Sequence, residues 1–273
     1  MTMDPGDGWE TSGRLSVRTL DVLTDVAVED DVLRSTMSRL LAATSVQVPE
    51  DPSRGTISVR GHGPFEVREG DDRIVVARRE AAVGHGLAAL NLRATSRTPL
   101  LACHSAVLAL GGVGLVVPAA SGAGKSTLTA ALVKQGWAYG SDEALGLTWD
   151  TGATVTYPRP FSLSAWSAEA TGTQGGVQGV DETYHLPGVR VNSGVPVGHV
   201  VLLERGGVVP ELRPVHRATA LVELVRRSFT LHQDPGRALL LYADLLRSAS
   251  CWQLTLGEPR AAAELLTRRL GRG

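Results

Sequence analysis

The chain has 273 residues, of which 43% are hydrophobic and only 4% aromatic, so it can form one large domain or two small ones with a core of Leu, Val and Ala. Its 27 Lys and Arg residues balance 28 Asp and Glu residues, which argues against a general nucleic-acid binder or a protein drawn to anionic membranes. The sequence shows neither a membrane-length apolar run nor a signal-peptide core. We therefore expect a cytoplasmic protein with no nucleic-acid or membrane partner, and the sequence leaves room for an oligomer.

The first third of the chain predicts a small α/β module. Residues 1–14 are rich in Asp, Gly and Thr, a composition that indicates disorder. Within residues 15–101, the spacing of apolar residues predicts helices at 33–43 and 80–93 and strands at 56–60, 65–68 and 72–77. We assign residues 15–101 to an N-terminal α/β module.

Residues 102–273 predict a second and larger domain. Two apolar runs, 105–110 and 113–117, are joined by Gly111-Gly112, a pair typical of a hairpin. Further strands are predicted at 137–139, 144–149, 154–157, 197–203 and 250–256, and helices at 126–135, 218–229, 237–246 and 259–270. The glycine-rich segment 171–180 indicates a mobile loop, either a lid over a ligand or a plain connector.

The cysteines, Cys103 and Cys251, lie in apolar strand-like segments without the spacing of metal ligands. This pattern favours buried, reduced thiols over a disulfide or a zinc site.

The segment 118–127 reads PAASGAGKST and lies between a predicted strand and a predicted helix. A loop of small residues in this setting can direct backbone N–H groups at a phosphate, and the helix N-terminus adds partial positive charge. The residues predicted to bind the phosphates of a nucleoside triphosphate are Ser121, Gly122, Ala123, Gly124, Lys125, Ser126 and Thr127. Lys125 would reach the β- and γ-phosphates, and the Ser126 hydroxyl would bind Mg²⁺. Ala119 replaces a glycine of the usual pattern, and we expect it to keep an ordinary extended backbone.

Phosphoryl transfer also needs a carboxylate near the metal and a group that positions or deprotonates the acceptor. Asp142 and Glu143 follow the short strand after the loop helix, a position at the carboxyl edge of a parallel α/β sheet. Adjacent residues in an extended chain point in opposite directions, so one acid can face the metal and the other the substrate. Arg159 is held in extended chain between two prolines and is a candidate contact to the substrate or the transferred phosphate.

These segments resemble the catalytic domain of HPr kinase/phosphorylase. The resemblance rests on His104-Ser105-Ala106-Val107, on the strand at 114–117, on the loop at 121–127 and on the segment 136–143. It implies an α/β fold with an HPr-kinase-like P-loop core and a smaller N-terminal α/β module. The chain looks closer to the shorter HPr-kinase-like proteins of bacteria than to the true HPr kinases, and some of those shorter proteins are associated with peptide natural-product pathways, including those of lasso peptides.

The resemblance also implies roles for single residues. Asp142 matches the aspartate that accepts the hydroxyl proton, and Glu143 matches the second acid, near Mg²⁺, where the family has Asp. His104 matches a histidine close to the phosphates, while Lys125 and Ser126 keep their loop roles. The implied cofactors are ATP and Mg²⁺, and the implied partner is a peptide or protein that carries a serine hydroxyl.

We therefore expect an ATP- and Mg²⁺-dependent serine kinase, and two alternatives stay open. A small-molecule kinase would have the same site and differ only in its acceptor pocket. A non-catalytic nucleotide-binding regulator would keep the loop without the transfer chemistry, and the departures at Ala119 and Glu143 favour it. A motor or DNA-linked ATPase fits less well, because the sequence has no strongly apolar strand ending in a Walker-B acid and no obvious arginine finger.

Overall fold

The computed structural model describes residues 13–49, 51, 53–186 and 188–271. The chain divides into two compact units. The first contains the described residues up to Pro99 together with Gly176–Leu186, and the second contains Leu100–Gly175 and the described residues from 188 onward. The sequence pattern gives no sign that Gly176–Leu186 groups with the first unit. The disorder predicted for residues 1–14 falls, up to residue 12, outside the described residues, and Arg14 begins a strand.

The first unit is built on a five-stranded sheet. Its elements are β1 (Arg14–Thr19), β2 (Val22–Val28), α1 (Asp31–Leu41), β3 (Thr56–Arg60), β4 (Phe65–Glu69), β5 (Asp72–Val76), α2 (Arg79–Arg97), β12 (Val177–Gln178) and β13 (Thr183–His185). The sheet order is β1-β2-β3-β4-β5, in which β2 and β3 are parallel and the other neighbours antiparallel. Strands β12 and β13 form an antiparallel pair.

The first unit has its own apolar core, to which the sheet, α1 and α2 contribute. Helix α1 is capped by Asp30, whose carboxylate accepts a hydrogen bond from the Leu33 backbone N–H at 2.8 Å, and Met37 is buried on the inner face of the helix. The β1–β2 hairpin, which the sequence pattern does not predict, turns at Leu20 and Asp21 with φ of 47° and 63°. Non-glycine residues rarely adopt such angles. Because the turn contains no glycine, its sequence does not indicate a hairpin.

The second unit is built on an eight-stranded sheet. Its elements are β6 (Leu101–Leu110), β7 (Val113–Pro118), α3 (Lys125–Lys134), β8 (Ala138–Ser141), β9 (Ala144–Leu147), β10 (Thr154–Val155), β11 (Phe161–Leu163), α4 (Ala165–Thr171), β14 (Val197–Glu204), β15 (Glu211–Pro214), α5 (Arg217–Arg226), a short 3₁₀ helix (Leu231–Gln233), α6 (Pro235–Ser248), β16 (Ser250–Thr255) and α7 (Pro259–Leu270). The sheet order is β10-β9-β6-β7-β14-β16-β15, with β8 also paired to β6.

Helices cover both faces of this sheet. On one face, α5 and α6 pack against a group that includes Val107, Val116 and Val200. On the other face, α3 and α7 pack against a group that includes Leu115 and Val201. Neighbouring residues of β7 and β14 thus face opposite layers, because side chains alternate along a strand. The result is a three-layer α/β arrangement, in agreement with the α/β class expected from the sequence.

The register across β6 determines where the predicted acid pair lies. Strand β6 is antiparallel to β7, and β8 and β9 lie end to end along its other edge, both antiparallel to it. Asp142 and Glu143 fill the interruption between β8 and β9, and the Ser105 N–H donates a hydrogen bond to the Glu143 carbonyl at 3.1 Å. Ser105 also pairs with Pro118, the last residue of β7. The prediction of a parallel sheet around the acid pair is therefore wrong. Through Ser105, however, the pair lies at the same position along the sheet as the C-terminal end of β7.

Three smaller predictions can be compared with the described residues. Cys103 and Cys251 are free and buried, as predicted. Among the described helices, none is long and apolar enough to cross a membrane. Regular structure occupies part of the glycine-rich segment predicted to be a mobile loop, because Thr171 ends α4 and Val177–Gln178 forms β12.

Candidate active site

The loop between β7 and α3 has the strand–loop–helix arrangement that the sequence predicts. Strand β7 ends at Pro118 and α3 begins at Lys125. Gly122 and Gly124 have φ of 73° and 104°, in the left-handed region that favours glycine. Ala119 lacks a positive φ, which agrees with the ordinary backbone expected for it. The first N–H groups of α3 have no carbonyl within the helix to bind, so they can bind an anion.

Lys125 lies at the base of this loop and is almost fully buried. Its Nζ donates hydrogen bonds to the backbone carbonyls of Ala119 at 2.9 Å and Ala120 at 3.0 Å. Burial lowers the pKa of the ammonium group, while the negative charges of Glu143 and Asp142 act in the opposite direction. The lysine is thus held inside the loop by two neutral acceptors, where a phosphate would supply charged ones.

Asp142 is buried, and both of its carboxylate oxygens have partners. The Ser126 hydroxyl donates a hydrogen bond to Oδ2 at 2.7 Å, and the Tyr139 hydroxyl lies 3.1 Å from Oδ1. The Asp142 N–H donates to the same Tyr139 oxygen at 3.1 Å. Burial raises the pKa of Asp142 above its usual value, although the charge of Arg159 and the Ser126 hydrogen bond oppose the rise. The carboxylate is therefore fixed in position between the loop helix and Tyr139.

Glu143 points to a different set of partners. Its Oε2 accepts a hydrogen bond from Arg159 Nη1 at 3.1 Å, and its Oε1 lies 3.7 Å from His104 Nε2. Burial and the charge of Lys125 lower the pKa of His104, which favours the neutral imidazole. The structure thus brings His104 and Arg159, both candidates from the sequence, to the same acid.

Arg159 is positively charged in this setting. Burial alone would lower the pKa of its guanidinium, but the negative charges of Asp142 and Glu143 outweigh burial and raise the pKa above its usual value. The Arg159 carbonyl lies 2.9 Å from the Tyr139 hydroxyl. A single tyrosine thus contacts the segments that carry Asp142 and Arg159.

All the sequence-predicted site residues line one cavity of the second unit, with a volume of about 740 Å³. The cavity is also lined by residues that the sequence analysis does not single out: Leu128, Ser162, Ser164, Trp166, Ser167, Arg205, Gly206, Leu256, Gly257 and Pro259. Arg205 donates a hydrogen bond to the Gly122 carbonyl, and the Ser167 and Thr127 hydroxyls lie 2.9 Å apart. Trp166 is 64% exposed. Apart from Leu128 of α3, these residues come from β11, from α4 with its N-cap Ser164, and from the segments after β14 and β16, so no local motif marks them.

The donor set fits a magnesium ion bound together with phosphate. Ser126, Asp142 and Glu143 offer hydroxyl and carboxylate oxygens, the ligands that Mg²⁺ prefers, and Mg²⁺ usually takes one or two carboxylates plus substrate phosphates. Within the described residues, no group of three or more His, Cys, Asp or Glu could hold a metal by itself.

Comparisons with known proteins give limited information. No protein-family model matches the chain, and no curated protein matches it. Among solved structures, the chain is similar to the Hpr(Ser) kinase/phosphatase from Coxiella burnetii, with 9% sequence identity and a TM-score of 0.29, over 61% of this chain and 88% of that chain. A TM-score this low supports no assignment of family or activity. The fold and the site define a mixed α/β protein with a charged, loop-lined cavity.

Proposed function

We propose that the protein is a Mg²⁺-dependent kinase that transfers the γ-phosphate of ATP to a serine hydroxyl of a peptide or protein. The proposal rests on one observation: the phosphate-loop residues and the acid pair line the same cavity. The phosphate-loop sequence, with Lys125 and Ser126, faces the carboxylates of Asp142 and Glu143. P-loop enzymes that act on nucleoside triphosphates combine an anion-binding helix terminus with acids in this way.

The loop and α3 would bind the donor. Backbone N–H groups of residues 121–127 would contact the phosphates, and Lys125 would exchange its carbonyl partners for phosphate oxygens. Mg²⁺ would be held by Ser126 with help from the acid pair, and when bound it would neutralise charge on the β- and γ-phosphates. Gly122 and Gly124 would let the backbone approach the phosphates closely.

The other end of the cavity would bind the acceptor. As the acceptor oxygen forms a bond to the γ-phosphorus, the bond from that phosphorus to the bridging oxygen breaks and ADP leaves. The proton of the hydroxyl passes to a carboxylate of the acid pair. Arg159, Lys125 and His104 surround this region and would offset negative charge on the transferred group.

The choice of a serine on a peptide rests on the sequence resemblance to HPr-kinase-like proteins. A small-molecule acceptor is a second candidate, because a cavity of about 740 Å³ is of the size that encloses small ligands. The proposed reaction draws on the ATP of the cell interior, so we retain the cytoplasmic location as part of the proposal.

The test is incubation of the protein with Mg²⁺ and γ-labelled ATP, with serine-containing peptides, a bacterial extract, or neither. The control is Lys125→Met, which removes the loop ammonium and keeps the length of the side chain. Label on a peptide or protein, lost in the control, supports the proposal. Label only on small metabolites favours the small-molecule kinase. ATP binding without transfer favours a nucleotide-binding regulator, and absence of ATP binding contradicts all three functions.

A further inference from the structure

Asp142 and Glu143 are adjacent in sequence but lie in different surroundings. The geometry points to a division of roles that reverses the one implied by the sequence resemblance. Asp142 orients the Ser126 hydroxyl for binding Mg²⁺, and Glu143 accepts the proton of the acceptor hydroxyl. This inference rests on the proposed function and specifies how its site works. In these terms Asp142 is a positioning residue and Glu143 is the catalytic one.

The first observation is the contact between Asp142 and the loop helix. Ser126 Oγ donates its proton to Asp142 Oδ2 at 2.7 Å. A serine that gives its proton to a carboxylate keeps its oxygen lone pairs for a cation, which is the arrangement by which a P-loop hydroxyl and an acid hold Mg²⁺. Tyr139 lies 3.1 Å from the other carboxylate oxygen, so Asp142 is held on both sides and aimed at Ser126.

The second observation is the pairing of Glu143 with a fixed positive charge. Arg159 Nη1 lies 3.1 Å from Glu143 Oε2, and a divalent cation on this carboxylate would lie close to the guanidinium. The charge of Arg159 also reaches Asp142, but its direct ion pair is with Glu143, and like charges at such a distance repel, so Glu143 is the poorer metal ligand of the two. The guanidinium that disfavours a metal would favour the negative charge of the transferred phosphoryl group.

The third observation is access. The Glu143 side chain is 23% exposed, whereas Asp142 as a whole is 4% exposed. An acceptor entering from the cavity can therefore approach Glu143 more readily. The backbone bends at these two residues and is fixed there, because the Ser105 N–H donates to the Glu143 carbonyl and the Ser141 hydroxyl oxygen accepts from the Glu143 N–H at 3.0 Å.

During transfer, Glu143 takes the hydroxyl proton while the acceptor oxygen bonds to the γ-phosphorus and ADP leaves with the electrons of the broken bond. Transition states of this kind are loose, so the proton moves late and the carboxylate need not be a strong base. The pairing with Arg159 is therefore compatible with this role.

The test compares Asp142→Asn with Glu143→Gln, two substitutions that each replace a carboxylate by an amide of the same size. The main readout is the affinity for a fluorescent ATP analogue, measured with Mg²⁺ and with EDTA, and it requires no acceptor. We expect Mg²⁺ to strengthen binding to the wild type. Asp142→Asn should lose most of that strengthening, and Glu143→Gln should keep it within about twofold. In the labelled-ATP assay, Glu143→Gln should lower transfer by about 10²–10⁴-fold, the usual contribution of a general base.

A second variant guards against misfolding of Asp142→Asn. Ser126→Ala removes the α3 hydroxyl that contacts Asp142. This variant must also lose the strengthening of nucleotide binding by Mg²⁺, which is called the Mg²⁺ effect below. The inference is overturned if Glu143→Gln loses the Mg²⁺ effect while Asp142→Asn keeps it, if both or neither lose it, or if the wild type binds nucleotide equally well with EDTA. A wild type that binds ATP without transferring phosphate would refute the proposed kinase while the binding data still decide which acid serves the metal.

Discussion

Tyr139 is a fully buried residue whose hydroxyl contacts three atoms of the site. It accepts a hydrogen bond from the Asp142 N–H, and it lies within hydrogen-bonding distance of Asp142 Oδ1 and of the Arg159 carbonyl. Burial raises its pKa well above the usual value, so the hydroxyl stays protonated. This side chain therefore links the turn that carries the acids to the segment that carries Arg159.

Tyr139→Phe is expected to destabilise the second unit and to loosen Asp142. The substitution leaves buried partners without the hydroxyl, which costs about 1–3 kcal/mol of the free energy of unfolding. Denaturant unfolding measures the cost. Tyr157→Phe is the matched control, because Tyr157 is another buried tyrosine close to Arg159. Equal losses of stability in the two variants would show that the hydroxyl of Tyr139 has no special role.

At the scale of elements, α1 of the first unit depends on one acid for its start. Asp30 accepts hydrogen bonds from the Leu33 N–H at 2.8 Å and from Arg79 Nη2 at 2.8 Å. The hydrogen bond from Arg79 is the main reason that the pKa of Asp30 lies well below its usual value of 3.8, and it outweighs the effect of burial. The folded state therefore binds this proton less readily than the unfolded state does.

A lowered pKa gives stability that is present above the unfolded-state pKa and is lost as the pH falls towards the folded-state pKa. We expect Asp30→Asn to lower the free energy of unfolding near neutral pH by about 1.5–3 kcal/mol, the usual range for hydrogen bonds to a charged group. Below pH 3.8 the difference from the wild type should shrink. Chemical unfolding across this range measures it. Asp31→Asn, at an exposed acid of α1, is the control, and a difference independent of pH would contradict the prediction.

Helix α4 forms part of the cavity wall and presents its exposed tryptophan there. It is tied to α3 by the Thr127–Ser167 hydroxyl contact and to α7 by Arg260, which donates to the Ala170 carbonyl at 2.9 Å. Four charged or ionisable residues of the cavity, His104, Asp142, Glu143 and Arg159, come from β6 and from segments beyond its outer edge, whereas Arg205 follows β14 and Leu256, Gly257 and Pro259 follow β16 on the other side of β7. Trp166 is the exposed aromatic side chain of this lining, so it is the surface on which we expect the aromatic base of a nucleotide to pack.

Trp166→Ala is expected to weaken nucleotide binding by about two- to tenfold, which corresponds to the 0.5–1.5 kcal/mol of an aromatic contact. Trp166→Phe should retain most of the affinity. Titration with ATP measures both. Leu240→Ala removes an exposed apolar side chain that lies outside the cavity lining and serves as the control. Unchanged affinity in Trp166→Ala would show that the base lies elsewhere.

At the scale of the whole molecule, local patterns were predictable and distant contacts were not. The turn at Gly111-Gly112, the loop around Lys125 and the C-terminal helices follow from short-range signals, and the structure shows each of these elements. The sequence does not indicate the hairpin at Leu20 and Asp21, because leucine rarely adopts the positive φ seen at Leu20 and the turn contains no glycine. Arg205 reaches Gly122 across 83 positions, a contact that single-sequence patterns cannot indicate.

The candidate site shows the same division. The sequence indicates the identities of Ser126, Asp142 and Glu143, because phosphoryl transfer needs these residue types. It does not indicate that Ser126 contacts Asp142 while Arg159 contacts Glu143, because those pairings depend on the antiparallel register of β8 and β9 along β6. The roles of neighbouring acids are therefore decided by tertiary structure.

The first unit also depends on a distant part of the chain. Tyr184, on β13, is buried in the core of that unit. Tyr184→Ala should create a cavity and lower the free energy of unfolding of the first unit by about 3–5 kcal/mol. Hydrogen exchange should then speed up in α2 and stay unchanged in α6. Faster exchange in α6 alone would contradict this assignment of Tyr184.

The placement of Gly176–Leu186 has a consequence for how such a protein can change in evolution. The chain passes from the first unit to the second after Pro99, returns at Gly176 and leaves again after Leu186. A recombination event with a single crossover near residue 100 would pair a new N-terminal half with a β12–β13 hairpin shaped for the old one. Tyr184 would then lack its partners, so the two units must be inherited together or replaced by two coordinated exchanges.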